Sequence, residues 1–360
     1  MRVFSESQEA ILKLAAVQGL TYRQKSALLS LAEEPKDLFK RLYALAPQIV
    51  EIGEHLFEKL EEIERRFDMD RLTRYMEKIG AKVVFRGEAD FPSAFEILEE
   101  CPEVLFYKGD IALAANDCFA VVGTRAPTRY GRDVTEQFTR EIAQGGFTIV
   151  SGLARGVDAI AHREALEAGA PTIGIIGCGI DVVYPAENKA LYDAIAEKGL
   201  ILTEYYFQEP ALPYHFPERN RLISALSEGI LVTEAGLKSG TMITVNYALD
   251  QGKDVFLVPG NVFSEASKGT NEMLHNPQCM IACSAEDVLS FYKRSVEKKE
   301  ESLQLSTSEV LVYDALQDDD KHFEELIAIT GLSMGELMAT LTKLEILGVI
   351  KRLPGNYYGI

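Results

Sequence analysis

Between residues 80 and 295 the chain repeats one pattern: a short apolar run rich in Val and Ile, a glycine-bearing turn, then a longer amphipathic segment. The runs are AKVVF, CFAVVG, FTIVSG, PTIGIIGCG, LILTEY, GILVTEA, DVFLVPG and CMIAC, and the segments between them include RDVTEQFTREIAQGG and DAIAHREALEAG. Strands that are apolar on both faces must be covered on both faces, and strands alternating with helices are joined by parallel crossovers. The expected fold class is α/β, with a Rossmann-like doubly wound, mostly parallel sheet over residues 80–295. Ligands of such sheets bind beyond the carboxyl ends of the strands.

The flanks read differently. Residues 1–75 carry helical periodicity in SESQEAILKLAAVQGL, YRQKSALLSLA and PKDLFKRLYALAPQIVEIGEHLFEKLEEIERRF, a small helical domain of SAM-like or helix-hairpin-helix-like kind. Residues 296–308, SVEKKEESLQLST, are polar and charged and read as a linker. Residues 309–360 hold three helical segments and VIKRLPGNYYGI, whose Pro-Gly-Asn turn joins two short strands; this is a winged-helix pattern. Its third helix, near 333–347, has Glu336 and Glu345 against Lys343, which favours a protein contact over reading of duplex DNA.

The formal charge is −18. Lys and Arg against Asp and Glu number 13 to 14 over residues 1–80, 20 to 31 over 81–300 and 4 to 10 over 301–360. Such a surface cannot coat duplex DNA non-specifically, so a polyanion must be met in a local pocket. The N-terminus MRVFSESQEA lacks an apolar signal core and no run of eighteen apolar residues occurs, so a cytoplasmic protein without a membrane span is expected. Five cysteines, mostly in apolar runs, suggest reduced thiols. Cys279 and Cys283 offer at most half a metal site, and neither metal nor cofactor is expected.

Four strand-end turns can seat an anion: Gly123 to Arg125, Ser151 to Gly156, Gly177 to Gly179 and Lys238 to Thr241. None matches a dinucleotide fingerprint or a Walker loop. Cations gather at these turns: Arg125, Arg155, Arg219, Arg221 and Lys238. Together they could hold a phosphodiester backbone, although Arg221 could instead be a buried partner of Glu234 or Asp181. Tyr205, Tyr206, Phe207, Tyr214 and Phe216 crowd the preceding loop and could stack on bases. Catalytic constellations are weaker. Ser151, Asp158 and His162 are close in sequence, but His162 reads as a packing or helix-surface residue; Glu234 reads as a structural carboxylate orienting Arg219 or Arg221.

GTR at 123–125, SGLARGVDAIAH at 151–162, GCGIDVVYPAEN at 177–188, FPERNRLIS at 216–224, VTEAGLKSGTMIT at 232–244 and VPGN at 258–261 resemble the successive motifs of the DprA/Smf family, DNA-processing protein A of bacteria. The segment GTNEMLHNPQCMIA at 269–282 departs from the family's pattern. The resemblance implies a non-enzymatic function: binding of single-stranded DNA, homodimerisation through the Rossmann-like domain, and loading of RecA recombinase during natural transformation. By motif it implies a DNA pocket of Arg125, Gly152, Arg155, Arg219, Asn220, Arg221, Lys238, Ser239, Gly240 and Thr241. The alternative is a nucleotide-processing N-glycosidic hydrolase on a similar sheet. Such enzymes carry an acid after the glycines of the turn, whereas Glu234 precedes them.

Overall fold

The computed structural model describes residues 3–296, 306–317, 319–347 and 349–359. The chain forms two compact units, Met1–Glu297 and Lys298–Ile360. Most of the expected linker, residues 297–305, lies outside the described residues.

The first unit is built on a nine-stranded sheet: β1 (Lys82–Phe85), β2 (Val104–Gly109), β3 (Cys118–Val122), β4 (Thr148–Ser151), β5 (Thr172–Ile175), β6 (Leu200–Thr203), β7 (Gly229–Val232), β8 (Asp254–Leu257) and β9 (Cys279–Ile281). Their order is β1-β2-β6-β5-β4-β3-β7-β8-β9. From β6 to β9 all neighbours are parallel, while β1 and β2 pair antiparallel at one edge. The sheet runs outward from β3 in both directions, to β4, β5 and β6 on one side and to β7, β8 and β9 on the other. The β3–β7 boundary is therefore the topological switch point, where the crossovers diverge and leave a crevice at the strand ends.

Sequence and layers agree closely here. Every residue of β3, β4, β5, β6 and β7 is buried. Alternate side chains feed two opposite cores: Ala120, Val150 and Ile230 pack with Leu222 and Val245, while Phe119, Val121, Ile149 and Leu231 pack with Phe138, Ala161 and Val288.

The first helices have a core of their own, and the first of them also packs on the sheet. Helix Glu6–Ala16 gives Ala10 and Leu14 to a helical cluster with Leu28, Leu38 and Leu60, but gives Leu12 and Ala15 to a cluster with Val83, Phe85, Phe106 and Ile201 of the sheet. The expected long helix after Pro35 is three, Pro35–Lys40, Ala46–Ile52 and Leu56–Arg66. A further helix, Met69–Ile79, is capped by Asp68 and ends at Gly80 in the left-handed region, φ 66°.

The second unit has helices Thr307–Leu316, Phe323–Thr330 and Met334–Ile346, with a small sheet of β10 (Lys321–His322), β11 (Lys351–Leu353) and β12 (Tyr357–Gly359). Its core is Val312, Leu316, Leu326, Leu337, Leu341, Leu344 and Ile350. On the third helix Lys343 Nζ pairs with Glu309 at 2.5 Å, and Met334, Met338 and Ile346 are exposed.

Candidate nucleic-acid interface

The site begins where β3 stops. A Cβ at Gly123 would lie 2.6 Å from Val157 and 3.0 Å from the Glu234 carbonyl oxygen, so only glycine lets β3, β7 and helix Val157–Glu167 converge. Thr124 N donates to that same carbonyl at 2.8 Å. The Glu234 carboxylate is buried and accepts from Thr128 N and Oγ1, both at 2.7 Å. Glu234 is thus structural, but it fixes the cap of helix Arg129–Gln144 and the turn bearing Arg125. The expectation that it orients Arg219 or Arg221 is corrected.

A cleft of about 760 Å³ opens at these strand ends. Arg125, Arg219, Asn220 and the Lys238-Ser239-Gly240-Thr241 turn all line it. Arg125 and Lys238 are exposed. The Arg125 guanidinium lies 5.1 Å from the centre of the Phe216 ring and that of Arg219 lies 6.0 Å away, cation–π distances. Tyr184 adds a second ring at 5.4 Å from Phe216. The cleft wall is therefore two aromatic faces with cations beside them. At the Lys238 turn, Ser239 Oγ donates to Thr241 Oγ1 at 2.9 Å and accepts from Thr241 N at 3.3 Å, shaping the start of helix Thr241–Asp250.

Arg219 plays a different part from Arg125 and Lys238. It is buried, its Nη1 donates to the Gly152 carbonyl at 2.8 Å and also to the Ile175 carbonyl, and its Nε donates to Asn220 Oδ1 at 3.2 Å. One guanidinium so ties the ends of β4 and β5 together on the cleft floor, while its Nη2 bonds no group among the described residues. Burial draws the Arg219 pKa below its ordinary value, and Asp158 nearby opposes that shift. Burial conversely raises Asp158, against the pull of Arg219. Gly152 lies beneath: a Cβ there would meet Arg219 Nη2 at 2.6 Å and Asp158 Oδ2 at 2.7 Å.

Two cations depart from the expected pocket. Arg221 is turned away and is 2% exposed. It forks Glu204 at 2.6 and 2.8 Å and donates to the Glu100 and Glu218 carbonyls, each at 3.1 Å. Two helical positions separate it from Arg219, and such a pair cannot share a face. The buried partner is neither Glu234 nor Asp181. Arg155 lies outside the cleft lining, with its exposed guanidinium held bidentate by Glu187 at 2.8 and 2.9 Å.

Among the five aromatics singled out, Phe216 lines the cleft and Tyr214 is exposed, but Tyr205 and Phe207 are core. Tyr184 was overlooked. Its signal was its place in the strand-end motif GCGIDVVYPAEN.

The Ser151, Asp158, His162 grouping has no nucleophile geometry. Ser151 Oγ donates to the Val121 carbonyl at 2.7 Å, and His162 is fully buried with Nδ1 2.7 Å from Thr172 Oγ1. Since Thr172 spends its only proton on the Ile149 carbonyl at 2.8 Å, the imidazole must donate from Nδ1. Burial pushes its pKa down to about 3. Among the described residues no three His, Cys, Asp or Glu side chains gather as a metal site, and no helix is long and apolar enough to cross a membrane.

Residues 82–293 match the model of the family described as DNA recombination-mediator protein A. The chain belongs to this family. Residues 296–356 also match the DprA winged helix domain. Protein Smf of Synechocystis is 30% identical over 312 residues, covering 75% of this chain and 78% of that one. The DNA processing protein DprA of Streptococcus pneumoniae is 39% identical over 214 residues, 56% of this chain and 75% of that one. The X-ray structure of DprA from S. pneumoniae superposes with a TM-score of 0.67 at 31% identity, covering 81% of this chain and 98% of that one. A Helicobacter pylori DprA structure, described for its single-stranded DNA binding mode, gives 0.55 at 34% identity, over 59% of this chain and 95% of that one. Of the motifs read from the sequence, those at 123–125, 216–224 and 232–244 contribute most of the cleft lining, that at 177–188 contributes Tyr184, and that at 258–261 contributes nothing to it.

Proposed function

We propose that the protein binds single-stranded DNA in the cleft at the β3–β7 switch point and passes it to RecA recombinase during natural transformation. The observation that carries this reading is the joint placement of Arg125 and Lys238, both exposed, beside the Phe216 and Tyr184 rings in one cleft. Cations hold phosphate and rings stack on bases, the two elements of strand binding without sequence readout. Arg219, Asn220 and Gly152 shape the floor, and the Ser239-Gly240-Thr241 turn, its Ser239 and Thr241 N–H groups bonded to the Gly236 carbonyl and Ser239 Oγ, lines the rim beside Lys238. Membership of a recombination-mediator family supports the hand-over to RecA. A homodimer through this unit is supported by exposed apolar side chains in the turn after β8 and on the edge strand β9, where Val262, Phe263 and Ile281 are 71, 90 and 56% exposed. The winged unit is assigned to a protein contact, because its third helix exposes Met334, Met338 and Ile346 and its lysine is paired to Glu309.

A gel-shift comparison of single-stranded with duplex oligonucleotide tests the reading, run beside an assay for base release from a nucleoside monophosphate. Preference for the single strand without base release is expected, and Lys238→Ala should weaken binding to all sequences alike. Equal affinity for duplex, or base release, would assign the cleft to another function.

A further inference from the structure

A second basic groove lies on the same unit, in a helical segment none of whose residues lines the cleft. It has a volume of about 510 Å³ and is lined by Arg66, Arg71, Arg74 and Lys78 together with the rings of Phe67, Tyr75 and Tyr206. Asp68 is the one acidic side chain in that lining, and it is occupied in accepting from Arg71 N at 2.9 Å as the cap of helix Met69–Ile79. Arg66 pairs with Glu62 at 2.5 Å. Arg71, Arg74 and Lys78 are exposed and have no ion-pair partner among the described residues. In a chain of charge −18, three unpaired cations in one groove are a local reversal of sign.

Their spacing matters. Positions 71, 74 and 78 fall on one helical stripe, and seven residues at 1.5 Å rise span roughly 10 Å, a length over which an extended strand presents successive phosphates. Tyr75 and Tyr206, both half-buried, stand beside that stripe. Cations interleaved with partly exposed rings are the arrangement already met in the cleft.

The groove and the cleft also share a loop. The segment after β6 contributes Tyr206, Phe207 and Gln208 to the groove and Ala211 and Pro213 to the cleft. Asp181, in the turn after β5, ties this arrangement to the helix: its carboxylate accepts from Tyr75 Oη at 2.7 Å and from Gln208 N at 2.8 Å.

We propose that a single strand held in the cleft continues across this loop into the groove, where Arg71, Arg74 and Lys78 bind its backbone. The proposal rests on the cleft reading above. An acidic protein segment could satisfy the charge alone, but it would make no use of the rings or of continuity with the cleft.

The test is fluorescence anisotropy on the full chain with two labelled oligothymidylates, one of about 6 nucleotides and one of about 20. Combined Arg71→Ala, Arg74→Ala and Lys78→Ala should leave the short oligomer within about twofold, weaken the long one about tenfold or more, and shrink its log–log salt slope by about 2. The charge-keeping set Arg71→Lys and Arg74→Lys should retain most of the long-oligomer affinity, which separates loss of charge from loss of fold. Unchanged affinity and slope for the long oligomer would overturn the proposal, including the case in which the groove takes an acidic peptide. The cleft reading is judged separately, by Arg125→Ala with Lys238→Ala on the short oligomer: if that affinity does not fall, the cleft reading fails whatever the groove variant does.

Discussion

Arg219 and Arg221 show how two identical residues, two apart, acquire opposite roles from direction alone. Arg221 is enclosed with Glu204, and burial of the pair is offset only while both charges are present. Glu204 is held below the ordinary carboxylate range by Arg221, against the opposing effect of burial. Arg221→Ala should therefore cost about 3–5 kcal/mol in urea unfolding, the penalty for a buried charge left alone, while the strand affinity of the folded protein stays near wild type. A measured fall in affinity without a fall in stability would place Arg221 in the binding site after all. Gly152 and Gly240 make a second contrast. A Cβ at position 152 strikes the guanidinium of Arg219, which is anchored by carbonyls and cannot simply swing aside, whereas one at 240 meets nothing within 4 Å. Gly152→Ala is expected to weaken strand binding several-fold in anisotropy titrations, and Gly240→Ala to leave it unchanged.

At the scale of elements, the packing of helix Val157–Glu167 on β4 and β5 carries a pH dependence. His162 is neutral in the folded protein with its pKa pushed down to about 3, while an unfolded histidine titrates near 6.5. Between those values the unfolded chain binds the extra proton, so stability rises with pH across this window and is lost as pH falls below about 6.5. One unit below that point the loss is about 1.4 kcal/mol. Urea unfolding at pH 5.5 and 7.5 should show it, and His162→Gln should flatten the difference; an equal slope in the variant would assign the dependence to other groups. The elements themselves were largely legible. Eight of the strands announce themselves as apolar runs, most of them Val- and Ile-rich because burial on both faces leaves little room for polar residues; β9, an edge strand with Ile281 exposed, is the exception to that burial. The run missed was VLFYKG, β2, which is antiparallel and enters without a crossover helix, so the alternation that reveals the others is silent there. The helix at Met69–Ile79 escaped for a related reason: only Leu72 and Met76 of it are buried, and its exposed face is charged. In the site, the glycine turns and Arg125, Arg219 and Lys238 could be read as strand-end residues. What could not be read was which way Arg221 faces, since that depends on Glu204 and Glu100 arriving from distant parts of the chain.

Over the whole molecule, two electrostatic effects oppose each other, and salt separates them. Cations in the cleft release counterions from the strand, about 0.7 per phosphate neutralised, so contacts from Arg125 and Lys238, with Arg219 as a third, give a log–log slope of about −1.4 to −2. The remaining surface repels the strand, and the reach of that repulsion is the Debye length, about 10 Å at 0.1 M salt and about 30 Å at 0.01 M. Glu197, in the last turn of helix Lys189–Lys198 shortly before β6, and Glu228, immediately before β7, are exposed at the edge of the sheet opposite the cleft. With four-residue strands rising about 3.3 Å per residue and turns added at both ends, they stand well over 10 Å from the bound phosphates. Glu197→Gln with Glu228→Gln should therefore tighten strand binding at 0.01 M salt and leave it unchanged at 0.2 M. The wild-type slope should correspondingly become shallower as salt falls below about 0.05 M, because the repulsion is no longer screened. A strictly linear log–log plot down to 0.01 M, together with no effect of the double substitution there, would mean that the strand feels only its pocket and that the acidic surface has no part in setting affinity.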